Sequence, residues 1–180
     1  MLQVKLVVRD HQMANIRGLP AAELEVAAAE SYGPDAVETH EFFGAPARVY
    51  ALHRIAGEKL RAYLTSLPEY RRKVHGGTRE YRVKDLHDIA RIVKHRPLME
   101  VEFWTKAMQE FRLACESRYV DCAGLETFKQ DWAQVRIRYE QDQSLATVTF
   151  LEAEAALDEV IASFSLMGAF PLVSPITPKS

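Results

Sequence analysis

From Leu52 onward, apolar residues return every three or four positions in one stretch after another, which commits most of the chain to amphipathic helices packed on each other. The stretch Leu52 to Leu67 carries Leu52, Ile55, Ala56, Leu60, Tyr63, Leu64 and Leu67. Arg82 to His95 carries Val83, Leu86, Ile89, Ala90, Ile92 and Val93, and Glu100 to Cys115 carries Val101, Trp104, Ala107, Met108, Phe111, Ala114 and Cys115. Leu125, Phe128, Trp132, Val135 and Tyr139 repeat the signature. Thr149 followed by Glu152 has capping-box spacing, and opens a helix whose inward face is Phe150, Ala153, Leu157, Val160, Ile161 and Phe164. Apolar and aromatic stripes of this size read as core.

The region before Leu52 has a different texture. Leu2 to Val8 is β-rich and bounded by Arg9, Asp10 and His11, which predicts a strand. Residues 11–46 read as irregular, punctuated by Gly18-Leu-Pro20, Gly33-Pro34 and Gly44-Ala-Pro46, with a short helix over the alanine-rich Ala21 to Ser31. A second strand is expected at Ala47 to Ala51, and the tail from Gly168 to Ser180, with Pro171, Pro175 and Pro178, reads as extended. The expected fold class is α+β, mostly α, with short N-terminal strands leading into a C-terminal helical bundle. The corresponding division is residues 1–51, a helical domain over 52–167 and a flexible tail over 168–180.

With 180 residues, 48% hydrophobic and 27% charged, the chain is expected to form one main domain with a substantial core, unlike disordered or membrane-embedded chains. Its formal net charge of -2 means that any polyanion site must be a local patch. The two cysteines, Cys115 and Cys122, lack partners at zinc-ligand spacing and read as reduced, partly buried thiols. Met1 to Asp10 has no signal-peptide pattern and no apolar run reaches about 18 residues, so the expected location is cytoplasmic, with no membrane partner.

Two charges interrupt the apolar stripes. At about 100° per residue, Lys59 falls between Ile55 and Tyr63, while Glu58 points to the far side. Asp85 stands below Ile89 and Ile92 at i+4 and i+7, while Asp88 is expected to face water. Lysine is rarely buried without a partner. The two could face each other across a helix pair as a ligand-facing site, or close a fold-specifying ion pair, or reach solvent from the stripe edges.

Between the two helices, Pro68 to Lys84 contains Arg71, Arg72, Lys73, Arg79, Arg82 and Lys84 against Glu69 and Glu80, a net charge of +4 around Gly76-Gly77. Guanidinium and ammonium groups beside a diglycine suit phosphate oxygens, because arginine donates a bidentate fork and glycine lets the backbone approach a ligand. A solvated charged loop is the other reading. If Lys59 and Asp85 converge, a triphosphate or an RNA backbone fits the site better than an apolar metabolite.

The stretch Leu52-His-Arg-Ile-Ala-Gly-Glu-Lys-Leu-Arg-Ala62, followed by Arg82-Val-Lys-Asp-Leu-His-Asp88, resembles the later motifs of the AbiEii/AbiGii toxin family of nucleotidyltransferases. There a Glu-Lys-(Leu/Ile)-x-Ala helix precedes, after a variable loop, an (Arg/Lys)-Asp-(Leu/Phe)-(Tyr/x)-Asp helix. The resemblance spans about Val4 to Phe164 and implies a polymerase-β-like enzyme that uses Mg²⁺ to move a nucleotidyl group from an NTP to an acceptor such as RNA, as the toxin of a toxin–antitoxin pair. It assigns Lys59 and Asp85 to the active site as catalytic residues, and Lys59, Arg82 and Lys84 to phosphate binding. Residues 1–51 would then be part of the nucleotidyltransferase core.

One departure matters most. Family members carry a Gly-(Gly/Ser) motif and then Asp-x-Asp, which holds the metal, and nothing before Lys59 matches it. Without those carboxylates the chemistry lacks its main electrostatic term, so no metal ligand is assigned. His87 stands where tyrosine is more usual. Two functions follow as expectations: the C-terminal part of such an enzyme, inactive alone and partnered by an antitoxin or a missing N-terminal half, or a non-catalytic helical module whose phosphate-contacting pocket binds a partner protein or RNA.

Overall fold

Ala22-Glu-Leu-Glu-Val26 alternates apolar and acidic residues along its sequence, and the segment is a strand. The helix expected over Ala21 to Ser31 is therefore corrected: alternation, with a partner strand to pair, overrides the helical propensity of its alanines. The computed structural model describes residues 2–6, 22–26, 32–70 and 80–173. Strand β1 (Leu2–Leu6) pairs antiparallel with β2 (Ala22–Val26), Leu2 opposite Val26 and Leu6 opposite Ala22. These strands lie in one compact unit, Met1–Glu30; Ser31–Ser180 forms another.

The second unit opens with a hairpin. Strands β3 (Val37–Phe42) and β4 (Ala45–Tyr50) pair antiparallel with Val37 opposite Tyr50 and Phe42 opposite Ala45. Phe43 and Gly44 both take positive φ, 51° and 79°, as a two-residue turn matched to strand twist requires. The segment 11–46, expected to be irregular, thus contains all of β3. Gly44-Ala-Pro46 is turn and strand start, with Pro46 opposite Glu41. Ala36 and Ala51 are fully buried at the hairpin base, where the Ala51 N–H donates to the Ala36 carbonyl at 2.9 Å.

Among the described residues the helices that follow are α1 (Leu52–Thr65), α2 (Val83–His95), α3 (Val101–Glu116), the single turn α4 (Leu125–Phe128), α5 (Trp132–Gln141) and α6 (Phe150–Leu166). α1 packs against α3 and α2, and α6 closes on α2. The α1–α3 approach is closest at Gly57, where an added Cβ would lie 2.6 Å from the Phe111 nitrogen and 2.8 Å from the Ala107 oxygen. Phe111 anchors the core, its ring 6.0 Å from those of Phe128, Phe164 and Phe170. The stripe from Leu125 to Tyr139 breaks into α4 and α5 because Asp131 turns left-handed, φ 53°.

α6 starts as the sequence requires: the Glu152 N–H donates to Thr149 Oγ1 at 3.2 Å and the Thr149 N–H to Glu152 Oε2 at 2.7 Å. Beyond it, Leu172 is buried and bridges antiparallel to Cys122. Both cysteines are free and buried, and burial pushes the Cys122 thiol up to about 11. Among the described residues no helix is long and apolar enough to cross a membrane.

Candidate functional site

The two stripe-breaking charges meet. Lys59, in the middle of α1, places Nζ 3.2 Å from Asp85 Oδ1 in the first turn of α2. Asp85 Oδ2 accepts from Arg82 Nε, so both carboxylate oxygens hold a cation. The carboxylate is the floor of the site, its side chain 4% exposed, while Lys59 is 26% and Arg82 59% exposed. A buried acid thus carries two cations that remain partly exposed.

Local chemistry sets this geometry. Ser66 caps the end of α1, its hydroxyl donating to the Tyr63 carbonyl at 2.7 Å and accepting the Arg82 N–H at 3.1 Å. This ties the entry of α2 to the exit of α1, and a first-turn carboxylate is favoured there by the orphan N–H groups of the helix start. The Asp85 N–H itself donates to the Arg82 carbonyl at 2.9 Å. The arginine–histidine part of the intervening basic loop, residues 71–79, lies outside the described residues.

Asp88, expected to face water, belongs to the site: its Oδ2 lies 2.5 Å from Lys59 Nζ. The reason is helical geometry, since positions 85 and 88 are i,i+3 neighbours and a cation that reaches one can reach the other. That spacing was legible in the sequence. Burial alone would lower the Lys59 pKa, but the hydrogen bond that the ammonium donates to Asp88 and the charge of Asp85 outweigh it and hold it above the ordinary lysine range. Burial would likewise raise Asp88, and Lys59 instead holds its carboxyl below the usual range.

Lys84 is not brought to this cluster. It is exposed, with Nζ 3.9 Å from Asp142 Oδ2. His87 is buried, with Nε2 2.9 Å from Thr147 Oγ1 and Nδ1 3.5 Å from Asp88 Oδ1.

A second charged cluster on α1 escaped the stripe analysis altogether. Arg54 is almost fully buried, with Nη1 3.2 Å from Glu110 Oε2 on α3 and Nη2 2.8 Å from Glu58 Oε1. Glu110 Oε1 accepts the Gly33 N–H at 2.7 Å, so the pair also fastens the segment before β3. Glu58 is further held by Arg61 and by Arg118 at 3.3 Å. Burial would raise its carboxyl, but Arg61 foremost, then Arg118 and Arg54, keep it low. The signal available was the i,i+4 spacing of Arg54 and Glu58.

Among the described residues no group of three or more His, Cys, Asp or Glu side chains is placed to hold a metal ion. Both oxygens of Asp85 and one of Asp88 are already bound to cations. The described site does not fit Mg²⁺.

The family model described as "Nucleotidyl transferase AbiEii toxin, Type IV TA system" matches residues 14–164. The chain belongs to this family of nucleotidyl transferase toxins of type IV toxin–antitoxin systems. No curated protein and no solved structure matches the chain.

Proposed function

We propose that this chain supplies the phosphate-binding part of a toxin that transfers a nucleotidyl group from an NTP to an acceptor such as RNA. In that reaction an acceptor hydroxyl attacks the α-phosphorus and pyrophosphate leaves, so charge accumulates on phosphate oxygens. Lys59 and Arg82 receive those oxygens, and Asp85 holds both cations in place. The convergence of Lys59 and Arg82 on one buried carboxylate carries this reading. Lys59 has three N–H donors, of which the two aspartates take two, and Arg82 is seen donating to Asp85 only through Nε. The remaining donors are the ones a phosphate would take.

Residues 1–58 contain no Asp-x-Asp, and the described residues do not fit a divalent cation. The chain by itself therefore binds NTP without transferring it, and the acidic pair comes from a preceding segment or a partner. An antitoxin is the counterpart that a toxin of this class implies. The missing pair equally favours a second reading, a non-catalytic module that holds a phosphate of a partner protein or RNA.

Equilibrium dialysis with radiolabelled ATP is the first test: binding is expected, weakened at least about tenfold by Lys59→Ala, as loss of a charged hydrogen bond predicts. A transfer assay with Mg²⁺, NTP and total RNA is expected to give no labelled product from this chain. Product formation abolished by Lys59→Ala and by Asp85→Ala would overturn the division of labour. ATP binding indifferent to both substitutions would overturn the site.

A further inference from the structure

His87 is buried beside the site, and nothing assigned so far uses it. Its Nε2 lies 2.9 Å from Thr147 Oγ1 and its Nδ1 3.5 Å from Asp88 Oδ1, while Asp88 presents its other oxygen to Lys59 Nζ at 2.5 Å. One tautomer of the ring satisfies both neighbours. An ionised carboxylate only accepts, so Nδ1 carries the hydrogen toward Asp88; in the neutral ring Nε2 is then the acceptor, and the Thr147 hydroxyl donates to it. Thr147 sits in the segment between α5 and α6, so the brace joins a third part of the bundle to the α1–α2 site.

Asp88 needs such a brace. Its side chain is about one-third exposed, unlike the floor residue Asp85, and a half-solvated carboxylate left to itself samples several rotamers. The Lys59 ammonium is held from two sides, and only the Asp88 side depends on an exposed group.

We propose that His87 is a positioning residue for Lys59: anchored on Thr147, its imidazole fixes the Asp88 carboxylate, which in turn fixes the ammonium. Its functional weight rests on Lys59 being the phosphate-binding lysine. The brace itself does not.

The test reads Lys59 directly. The full chain is labelled with ¹³C,¹⁵N-lysine, the Lys59 side-chain resonance is assigned by its loss in Lys59→Arg, and its titration is followed by NMR. Asp88→Asn sets the scale by lowering the Lys59 midpoint. His87→Leu and His87→Gln, which lose the N–H at the Nδ1 position, are expected to lower the midpoint in the same direction by a smaller amount. His87→Asn keeps an amide N–H near that position and is expected to restore most of the wild-type value. If the leucine variant does not fold, the glutamine and asparagine pair carries the test.

A Lys59 titration unchanged in His87→Gln while Asp88→Asn moves it would overturn the brace, as would equal shifts in His87→Asn and His87→Gln. ATP binding is measured on the same samples. A brace seen by NMR, with ATP binding indifferent to Lys59→Ala, overturns the proposed function alone; sensitive binding without the NMR effect overturns the brace alone.

Discussion

Helix α1 carries two cations, Arg54 and Lys59, little more than one turn apart, and the bundle treats them in opposite ways. Arg54 is sealed between α1 and α3, and its carboxylate partner Glu110 is as buried as it is. Lys59 sits at the rim on a buried acid, with a quarter of its side chain still exposed. The guanidinium of Arg54 is spent on fastening α1, α3 and the segment before β3. The ammonium of Lys59 is oriented by carboxylates from one side and left with capacity on the other. Burial of both partners makes a structural tie, and burial of the acid alone leaves the cation partly exposed, as the proposed phosphate site requires.

The largest effect that would break this contrast is expected at Arg54. Arg54→Met leaves Glu110 charged in the core, and unfolding in urea is expected to show a loss of about 3–5 kcal/mol. A change under about 1 kcal/mol would mean that the buried tie is no tie. Next comes Gly57→Ala, whose methyl would press on the α3 backbone between Ala107 and Phe111. The expected cost is about 1–3 kcal/mol, read in the same assay.

At the rim the expected effect on stability is small and that on binding is large. Lys59→Met with Asp85→Leu should leave the urea midpoint within about 1 kcal/mol of wild type, because hydrophobic packing often matches an ion pair. The same protein should bind no ATP. A stability loss as large as that of Arg54→Met would make Lys59 and Asp85 a second structural tie.

The smallest effects concern pH. The Asp88 carboxyl is held below its ordinary value, so its contribution is present above about pH 4 and lost as pH falls through the lowered value. Lys59 is held above its ordinary value, so its contribution is intact below about pH 10.4 and lost as pH rises beyond it. His53, on α1 near Arg54, behaves differently. Burial foremost, with the charge of Lys106, lowers its pKa, so stability is lost as pH falls below about 6.5. Urea midpoints measured from pH 7 to pH 5 should fall for wild type and stay flatter for His53→Gln.

The helical half and its rim site were legible in the sequence because both are periodic. Ile55, Leu60 and Tyr63 declared a face, so a lysine within that face was conspicuous, and so was Asp85 among Leu86, Ile89 and Ile92. Arg54 was missed because arginine beside a stripe normally reaches solvent along its stem. Only the arrival of Glu110 from another helix makes it a core residue. The strands were harder to read: five or six residues of mixed polarity resemble loop until a partner strand supplies their hydrogen bonds, as β3 shows.

From Leu52 onward the sequence by itself determined where the main helical stripes run, which faces turn inward and which two charges break those faces, because helical period is a local property of the chain. Tertiary structure alone decided that Lys59, Asp85 and Arg82 share one site, that Asp88 joins them and Lys84 does not, and that Leu172 is anchored on Cys122. Those outcomes depend on how separate helices and segments are docked, and docking is set by packing between residues far apart in the chain.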